Sequence, residues 1–120
     1  MKRRASTTDL LTWSDFDTAF DAYKEGVHDG VGFCFCSADP FVFIDLDDCV
    51  DPETKTVEDW AKDLARSFED ATYVELSPSE TGLHIIIEAR FRGGKRRGQI
   101  EVYGQDRFST ITGQRVEVLQ

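Results

Sequence analysis

The residues with the clearest chemical potential are Asp45 and Asp47, which follow the apolar run Phe41-Val42-Phe43-Ile44. Such a run is typical of a strand buried in the middle of a sheet, and side chains two positions apart on a strand point to one face. Two carboxylates held this close repel each other unless a cation lies between them. The pattern therefore predicts a site for Mg²⁺, Mn²⁺ or Ca²⁺. The alternative is an acidic strand exit in an acidic protein.

A second group of candidates lies in the polar segment from Ser77 to Gly82, which leads into a strand beginning Leu83-His84. Loop hydroxyls, including that of Ser79, backbone N–H groups near Gly82 and an inward His84 could together hold a phosphate chain. A lone histidine at the start of a strand is more often structural. A functional role is favoured here because the chain also contains a predicted carboxylate pair next to this histidine.

The third group combines one acid with the chain's internal basic run. Glu101 interrupts the apolar strand Ile100-Glu101-Val102-Tyr103, where Glu is disfavoured, so it is a candidate third carboxylate. The alternative is a solvated position in an alternating strand. The basic run is the candidate DNA-binding segment, and its alternative is a plain solvated loop; its residues are Arg92, Lys95, Arg96 and Arg97.

Composition limits the class of protein. The 120 residues are 40% hydrophobic, which suits one domain with a substantial core. No apolar run is long enough to span a membrane, and the basic N-terminus is followed by polar residues, so a cytoplasmic protein is predicted. The net charge is −9, with 14 Asp, 9 Glu and only 5 Lys. This bias fits a halophilic source, and the alternative is simply an acidic protein.

Hydrophobic periodicity predicts two main helices and several strands. The first helix is capped by Ser14 and has an apolar face at Phe16, Ala19, Phe20 and Tyr23. The second is capped by Thr56 and has an apolar face at Val57, Trp60, Ala61, Leu64, Ala65 and Phe68. Strands are predicted at 31–36, 41–44, 73–76, 83–88, 100–103, 108–112 and 116–118, with a loop at 92–98. The predicted class is α+β: a lead-in loop at 1–13, then one domain at 14–120 with a mixed β-sheet flanked by two main helices.

Taken in order, three segments resemble the motifs of the archaeo-eukaryotic primase superfamily. They are Asp45-Leu46-Asp47-Asp48, Ser77-Pro78-Ser79-Glu80-Thr81-Gly82-Leu83-His84 and Ile100-Glu101-Val102-Tyr103. The likeness is greatest to the primase-polymerase domains of phage and plasmid replication proteins, and it extends to the segments 4–13 and 104–113. The resemblance implies an RRM-like primase-polymerase core. Because family members carry more chain before Ala5-Ser6-Thr7-Thr8, it also implies a core truncated at its N-terminus.

The resemblance also implies roles for individual residues. The catalytic and metal-binding acids would be Asp45, Asp47 and Glu101, and the nucleotide-binding residues Ser77, Ser79, His84, Arg107 and Thr112. The implied reaction is nucleotidyl transfer with Mg²⁺ or Mn²⁺. Its partners would be nucleoside triphosphates, single-stranded or primed DNA and a replicative helicase. Two alternatives stay open: a catalytically weak relative that binds nucleotides or single-stranded DNA, and a metal-dependent nuclease.

Overall fold

The computed structural model describes residues 15–26, 30–36, 40–68, 71–91, 93–105 and 107–116. These residues form two helices and seven strands, which confirms the predicted α+β class. The elements are α1 (Phe16–Lys24), β1 (Val31–Phe35), β2 (Phe41–Leu46), α2 (Asp59–Ser67), β3 (Ala71–Leu76), β4 (Leu83–Glu88), β5 (Gly94–Arg97), β6 (Ile100–Tyr103) and β7 (Arg107–Ile111). Neither of the described helices has the length and apolar character that crossing a bilayer requires. The predicted lead-in loop at 1–13 and the predicted cap Ser14 lie outside the described residues.

The main sheet has five strands in the order β3-β4-β2-β6-β5, so the apolar strand β2 lies in the middle as predicted. A mixed sheet was expected, but every described pair of neighbouring strands is antiparallel. The reason is the path of the chain through α2. This helix joins β2 to β3, which run in the same direction with β4 between them, so the crossover creates a split βαβ unit and no parallel pair.

The second helix starts later than predicted, although its apolar face is correct. Val57 forms an antiparallel bridge with Val50, which keeps the chain extended beyond Thr56. The helix therefore begins at Asp59 with Glu58 as its N-cap, and the prediction of Thr56 as the cap is wrong. All members of the predicted face belong to the main core or pack against it.

The two sides of the main sheet differ in composition because side chains alternate along β2. Val42, Ile44 and Leu46 point to the side covered by α2 and form the main core. Phe43 and Asp45 point to the other side. There a smaller aromatic cluster forms from Phe35, Phe43 and Tyr103, with Phe35 contributed by the separate two-stranded sheet of β1 and β7.

The first helix contributes little to the described core. Asp15 caps it, and its side chain accepts a hydrogen bond from the backbone N–H of Thr18 at 2.8 Å. No residue of α1 is buried among the described residues, and Phe16 is 67% exposed. The predicted apolar face is therefore present as a pattern but is not packed against the main sheet within the described part of the chain.

The loop predicted at 92–98 contains a strand, which corrects that prediction. Residues 94–97 form the edge strand β5, paired with β6. Arg97 pairs with Ile100, so only Gly98 and Gln99 make the turn, and Gly98 has the positive φ of 59° that a two-residue hairpin turn requires. The run of basic side chains obscured this hairpin in the sequence, and Arg92 lies outside the described residues.

Candidate active site

Five polar side chains cross the main sheet in one row, one from each strand. The register pairs Glu75 with His84, His84 with Asp45, Asp45 with Glu101, and Glu101 with Arg96. Directly paired residues on neighbouring strands point to the same face. These residues, called the polar row below, lie on the face that carries the aromatic cluster. The row contains four of the sequence-predicted site residues, which are Asp45, His84, Glu101 and the basic residue Arg96.

Asp45 is at the centre of the polar row. Burial raises the pKa of its carboxyl, and the negative charges of Asp47 and Glu101 act in the same direction. His84 opposes this shift, with its Nε2 atom 3.9 Å from Oδ1 of Asp45. A carboxylate in this environment gains stability from any added positive charge.

His84 is held by a residue that sequence analysis did not single out, the fully buried Glu75. Oε2 of Glu75 lies 2.8 Å from Nδ1 of His84. The same carboxylate accepts hydrogen bonds from the Tyr73 hydroxyl at 2.8 Å and from the backbone N–H groups of Thr112 and Gly113 at 2.9 and 3.1 Å. Burial acts to raise the pKa of Glu75, but these hydrogen bonds outweigh it and hold the pKa below its usual value. An ionised carboxylate only accepts hydrogen bonds, so Nδ1 of His84 carries a proton.

A sequence signal for Glu75 was available in the hairpin that contains the second motif. Leu76 pairs with Leu83 across the loop 77–82, and continuing that register by one residue pairs Glu75 with His84. The alternation Tyr73-Val74-Glu75-Leu76 does not by itself show that the side chain of Glu75 is buried. Its burial depends on residues 112 and 113, which are distant in sequence.

The other end of the polar row is occupied by arginines. Arg96 donates a hydrogen bond to Oδ2 of Asp47 at 2.7 Å, and its Nη1 lies 3.8 Å from Oε2 of Glu101. Arg107 donates to Oε1 of Glu101 at 2.9 Å and lies 4.4 Å from the centroid of the Tyr103 ring. The structure thus brings Arg107, a sequence-predicted nucleotide contact, to the same place as the predicted metal ligands.

The basic run is divided between two faces of the sheet. Arg96 pairs with Glu101 and faces the polar row, whereas Lys95 and Arg97 pair with Val102 and Ile100 and face the opposite side. All three basic side chains are exposed. The described part of the predicted DNA-binding segment therefore does not form one continuous patch.

The predicted phosphate-binding hydroxyls mainly shape their own loop. Ser77 accepts a hydrogen bond from the backbone N–H of Gly82 at 3.0 Å, and the hydroxyls of Ser79 and Thr81 lie 2.7 Å apart. A Cβ at Gly82 would lie 2.4 Å from the carbonyl oxygen of Leu46, so only glycine fits where this loop meets the end of β2. The loop is thereby packed beside the carboxylates.

Thr112 is connected to the site from the other side of Glu75. Its hydroxyl donates to the carbonyl of Leu76 at 2.6 Å, while its backbone N–H donates to Glu75. Thr112 and His84, both sequence-predicted nucleotide contacts, are therefore linked through a single carboxylate. No pattern in the sequence indicates that link.

The donor chemistry of Asp45, Asp47 and Glu101 suits a hard cation, because all three side chains provide carboxylate oxygens. In the described ranges, however, no group of three or more His, Cys, Asp or Glu side chains is arranged to hold a metal ion. Asp47 and Glu101 are paired with Arg96 and Arg107 instead. Mg²⁺ or Mn²⁺ would therefore have to compete with guanidinium groups for the same oxygens.

Comparison with known proteins identifies a phage relative. No protein-family model matches this chain. The chain is 35% identical to the protein named DNA primase-polymerase from Nitratiruptor phage NrS-1, over an alignment of 122 residues that covers 93% of this chain. It spans 16% of the length of that phage protein. The name of this relative agrees with the resemblance that the three sequence motifs carry.

Proposed function

We propose that this chain is the catalytic core of a primase-polymerase that acts in phage or plasmid replication. In this proposal it has an RRM-like fold and transfers nucleotides from nucleoside triphosphates to the 3′-hydroxyl of a primer or first nucleotide on a DNA template. The observation that carries the proposal is the polar row. It brings Asp45 of the first motif, His84 of the second motif and Glu101 of the third motif side by side on one face. The similarity to the phage primase-polymerase supports the same conclusion.

The carboxylates would hold Mg²⁺ or Mn²⁺, and the bound cations would activate the 3′-hydroxyl and offset the charge of the triphosphate. Asp45, Asp47 and Glu101 are the residues assigned to this role. The aromatic cluster lies on the same face of the sheet as the polar row and packs against its histidine, since the Phe43 ring is stacked on Tyr103 at 5.0 Å and lies 4.8 Å from the His84 ring. A rigid apolar support of this kind keeps polar groups in place for a transfer reaction.

The triphosphate itself needs positive charge close by, because the whole chain has a net charge of −9. Arg96 supplies such charge within the polar row and Arg107 supplies it beside the row, and each is about half exposed. We assign triphosphate contacts to Arg107 and His84. The loop that contains Ser77 and Ser79 and the segment at Thr112 would lie on either side of the triphosphate. Single-stranded or primed DNA and a replicative helicase are the partners that the resemblance implies.

A second candidate function is nucleotide or single-stranded DNA binding without transfer. The observation that favours it is the pairing of Asp47 with Arg96 and of Glu101 with Arg107. These ion pairs neutralise two of the three carboxylates, and the arginines are able to bind phosphates directly. Under this alternative the chain binds a triphosphate equally well without a divalent cation.

The test is extension of a labelled primer on a DNA template with deoxynucleoside or ribonucleoside triphosphates and Mn²⁺. We expect extension by the parent protein and at least a hundredfold loss in Asp45→Asn, because one metal-binding carboxylate is removed. Asp63→Asn is the matched control, since Asp63 is an exposed residue of α2 and the charge change is the same. Triphosphate binding without extension would favour the second candidate, and shortening of the labelled strand would indicate a nuclease.

A further inference from the structure

The feature that the proposed function leaves unexplained is Glu75. We propose that Glu75 is a positioning residue that holds two parts of the triphosphate site, His84 and the Thr112–Gly113 segment, in a fixed relation through one buried carboxylate. This inference rests on the proposed function. It assigns a role to Glu75, which is not among the acids and the histidine of the three motifs. The ligand of this site would be the negatively charged triphosphate, which His84 and the neighbouring backbone would contact.

The first step concerns the sharing of one oxygen atom. Oε2 of Glu75 accepts hydrogen bonds both from Nδ1 of His84 at 2.8 Å and from the backbone N–H of Thr112 at 2.9 Å. Oε1 accepts from the backbone N–H of Gly113 at 3.1 Å. A movement of the carboxylate therefore moves the histidine ring and the segment after β7 together. Hydrogen bonds to a buried charged acceptor are among the stronger ones in proteins, so the coupling is stiff.

The second step concerns the proton on His84. With Nδ1 donating to Glu75, Nε2 is the ring nitrogen that faces Asp45, 3.9 Å from its Oδ1. The hydrogen bond to Glu75 therefore sets which edge of the imidazole is turned toward the carboxylates and toward a bound phosphate. Glu75 thus supplies the orientation of the ring.

The third step concerns the confinement of the ring. Only 4% of His84 is exposed, and its ring lies against Phe43 with the centroids 4.8 Å apart. With so little free space, the hydrogen bond to Glu75 decides which nitrogen is presented to the site. This dependence on another residue for orientation is the general behaviour of functional histidines backed by a carboxylate.

The test compares Glu75→Gln with Tyr73→Phe by calorimetric titration with a nucleoside triphosphate in Mn²⁺, and with Mn²⁺ alone. Tyr73→Phe is the matched control because it removes one hydrogen bond to Glu75 and keeps the carboxylate. We expect Glu75→Gln to weaken triphosphate binding roughly ten- to hundredfold, the range for hydrogen bonds to charged groups. Binding of Mn²⁺ alone should change by less than about threefold, and Tyr73→Phe should stay within about threefold of the parent in both titrations.

A double-mutant cycle separates positioning from general stability. If Glu75 acts through His84, Glu75→Gln should weaken triphosphate binding much less in a His84→Ala background than in the parent. Any weakening that remains in that background would come from the Thr112 segment. Nuclear magnetic resonance of the histidine ring gives a readout that needs no ligand. We expect a proton on Nδ1 of His84 that exchanges slowly with water in the parent and in Tyr73→Phe.

The outcomes distinguish the two proposals. Equal triphosphate binding by Glu75→Gln and the parent would overturn the positioning role and leave the proposed function standing. Failure of the parent to bind triphosphate would overturn both. If Glu75→Gln does not fold, the histidine signal decides: its absence from the folded parent overturns the positioning role, and its presence there supports it.

Discussion

The two ends of the polar row belong to one sheet but differ in burial and in how their charges are paired. At the buried end, Glu75 and His84 are shielded from water, and the hydrogen bond between them is part of a satisfied network. At the exposed end, Arg96 and Glu101 are joined by a longer ion-pair contact of 3.8 Å. A charge that is buried and paired is costly to disturb, whereas an exposed pair exchanges readily with ions and ligands. We infer that the buried end fixes geometry and the exposed end is where ligands enter.

The largest expected effect separates the two ends by stability. Glu75→Ala should lower the free energy of unfolding by about 3–5 kcal/mol, because it leaves the buried His84 ring and the partly buried donors of Tyr73 and the Thr112 segment without an acceptor. Arg96→Gln should change it by less than about 1 kcal/mol. Urea unfolding measures both values. Glu88→Ala, at an exposed position at the end of β4, is the control for loss of a strand glutamate. Equal effects of Glu75→Ala and Arg96→Gln would contradict the comparison.

The features that could be predicted from the sequence are those that depend on local patterns. The apolar run of β2 and the 3.6-residue period of α2 are local patterns, and both elements were identified, although Val57's pairing with Val50 delayed the start of the helix. Strand alternation by itself also puts Asp45 and Ile44 on opposite sides of the sheet. These features follow from period alone.

What the sequence could not predict depends on contacts between distant segments. The burial of Glu75 requires residues 112 and 113, which are 37 and 38 positions away. The ion pair between Arg96 and Asp47 spans 49 positions and depends on a hairpin that was predicted as a loop. The catalytic, metal and nucleotide roles of the site residues stay predictions, because they concern ligands rather than the fold.

The second prediction sharpens the comparison through metal binding at the exposed end. If Mn²⁺ competes with Arg96 for Asp47, Arg96→Gln should strengthen Mn²⁺ binding by about two- to fivefold, the value of one exposed ion pair. Arg97→Gln is the matched control, since Arg97 is the next residue on the same strand and faces the opposite side. Stabilisation of the fold by Mn²⁺ in thermal melts gives the measurement.

A variant that removes the carboxylates tests whether this metal effect belongs to the polar row. Asp45→Asn combined with Asp47→Asn should abolish the stabilisation by Mn²⁺, and it should raise stability in the absence of metal because like charges no longer repel. A parent protein whose melting temperature does not respond to millimolar Mn²⁺ would count against the metal site. A response that persists in the double variant would place the metal elsewhere.

The smallest expected effect concerns salt, which should act on one end of the row and spare the other. At 1 M KCl the Debye length is about 3 Å, so the exposed contacts of Arg96 are largely screened while the buried hydrogen bonds of Glu75 are not. The stability difference between the parent and Arg96→Gln, at most about 1 kcal/mol, should therefore shrink toward zero from dilute buffer to molar KCl. The difference between the parent and Glu75→Ala should stay nearly constant over the same range. A salt-sensitive cost for Glu75→Ala would mean that water reaches the buried end of the row.

The parent itself should melt at higher temperature as KCl increases if its charge of −9 reflects adaptation to a salty environment, because salt screens the repulsion among its carboxylates. A melting temperature that is flat or falls with KCl would argue against that adaptation.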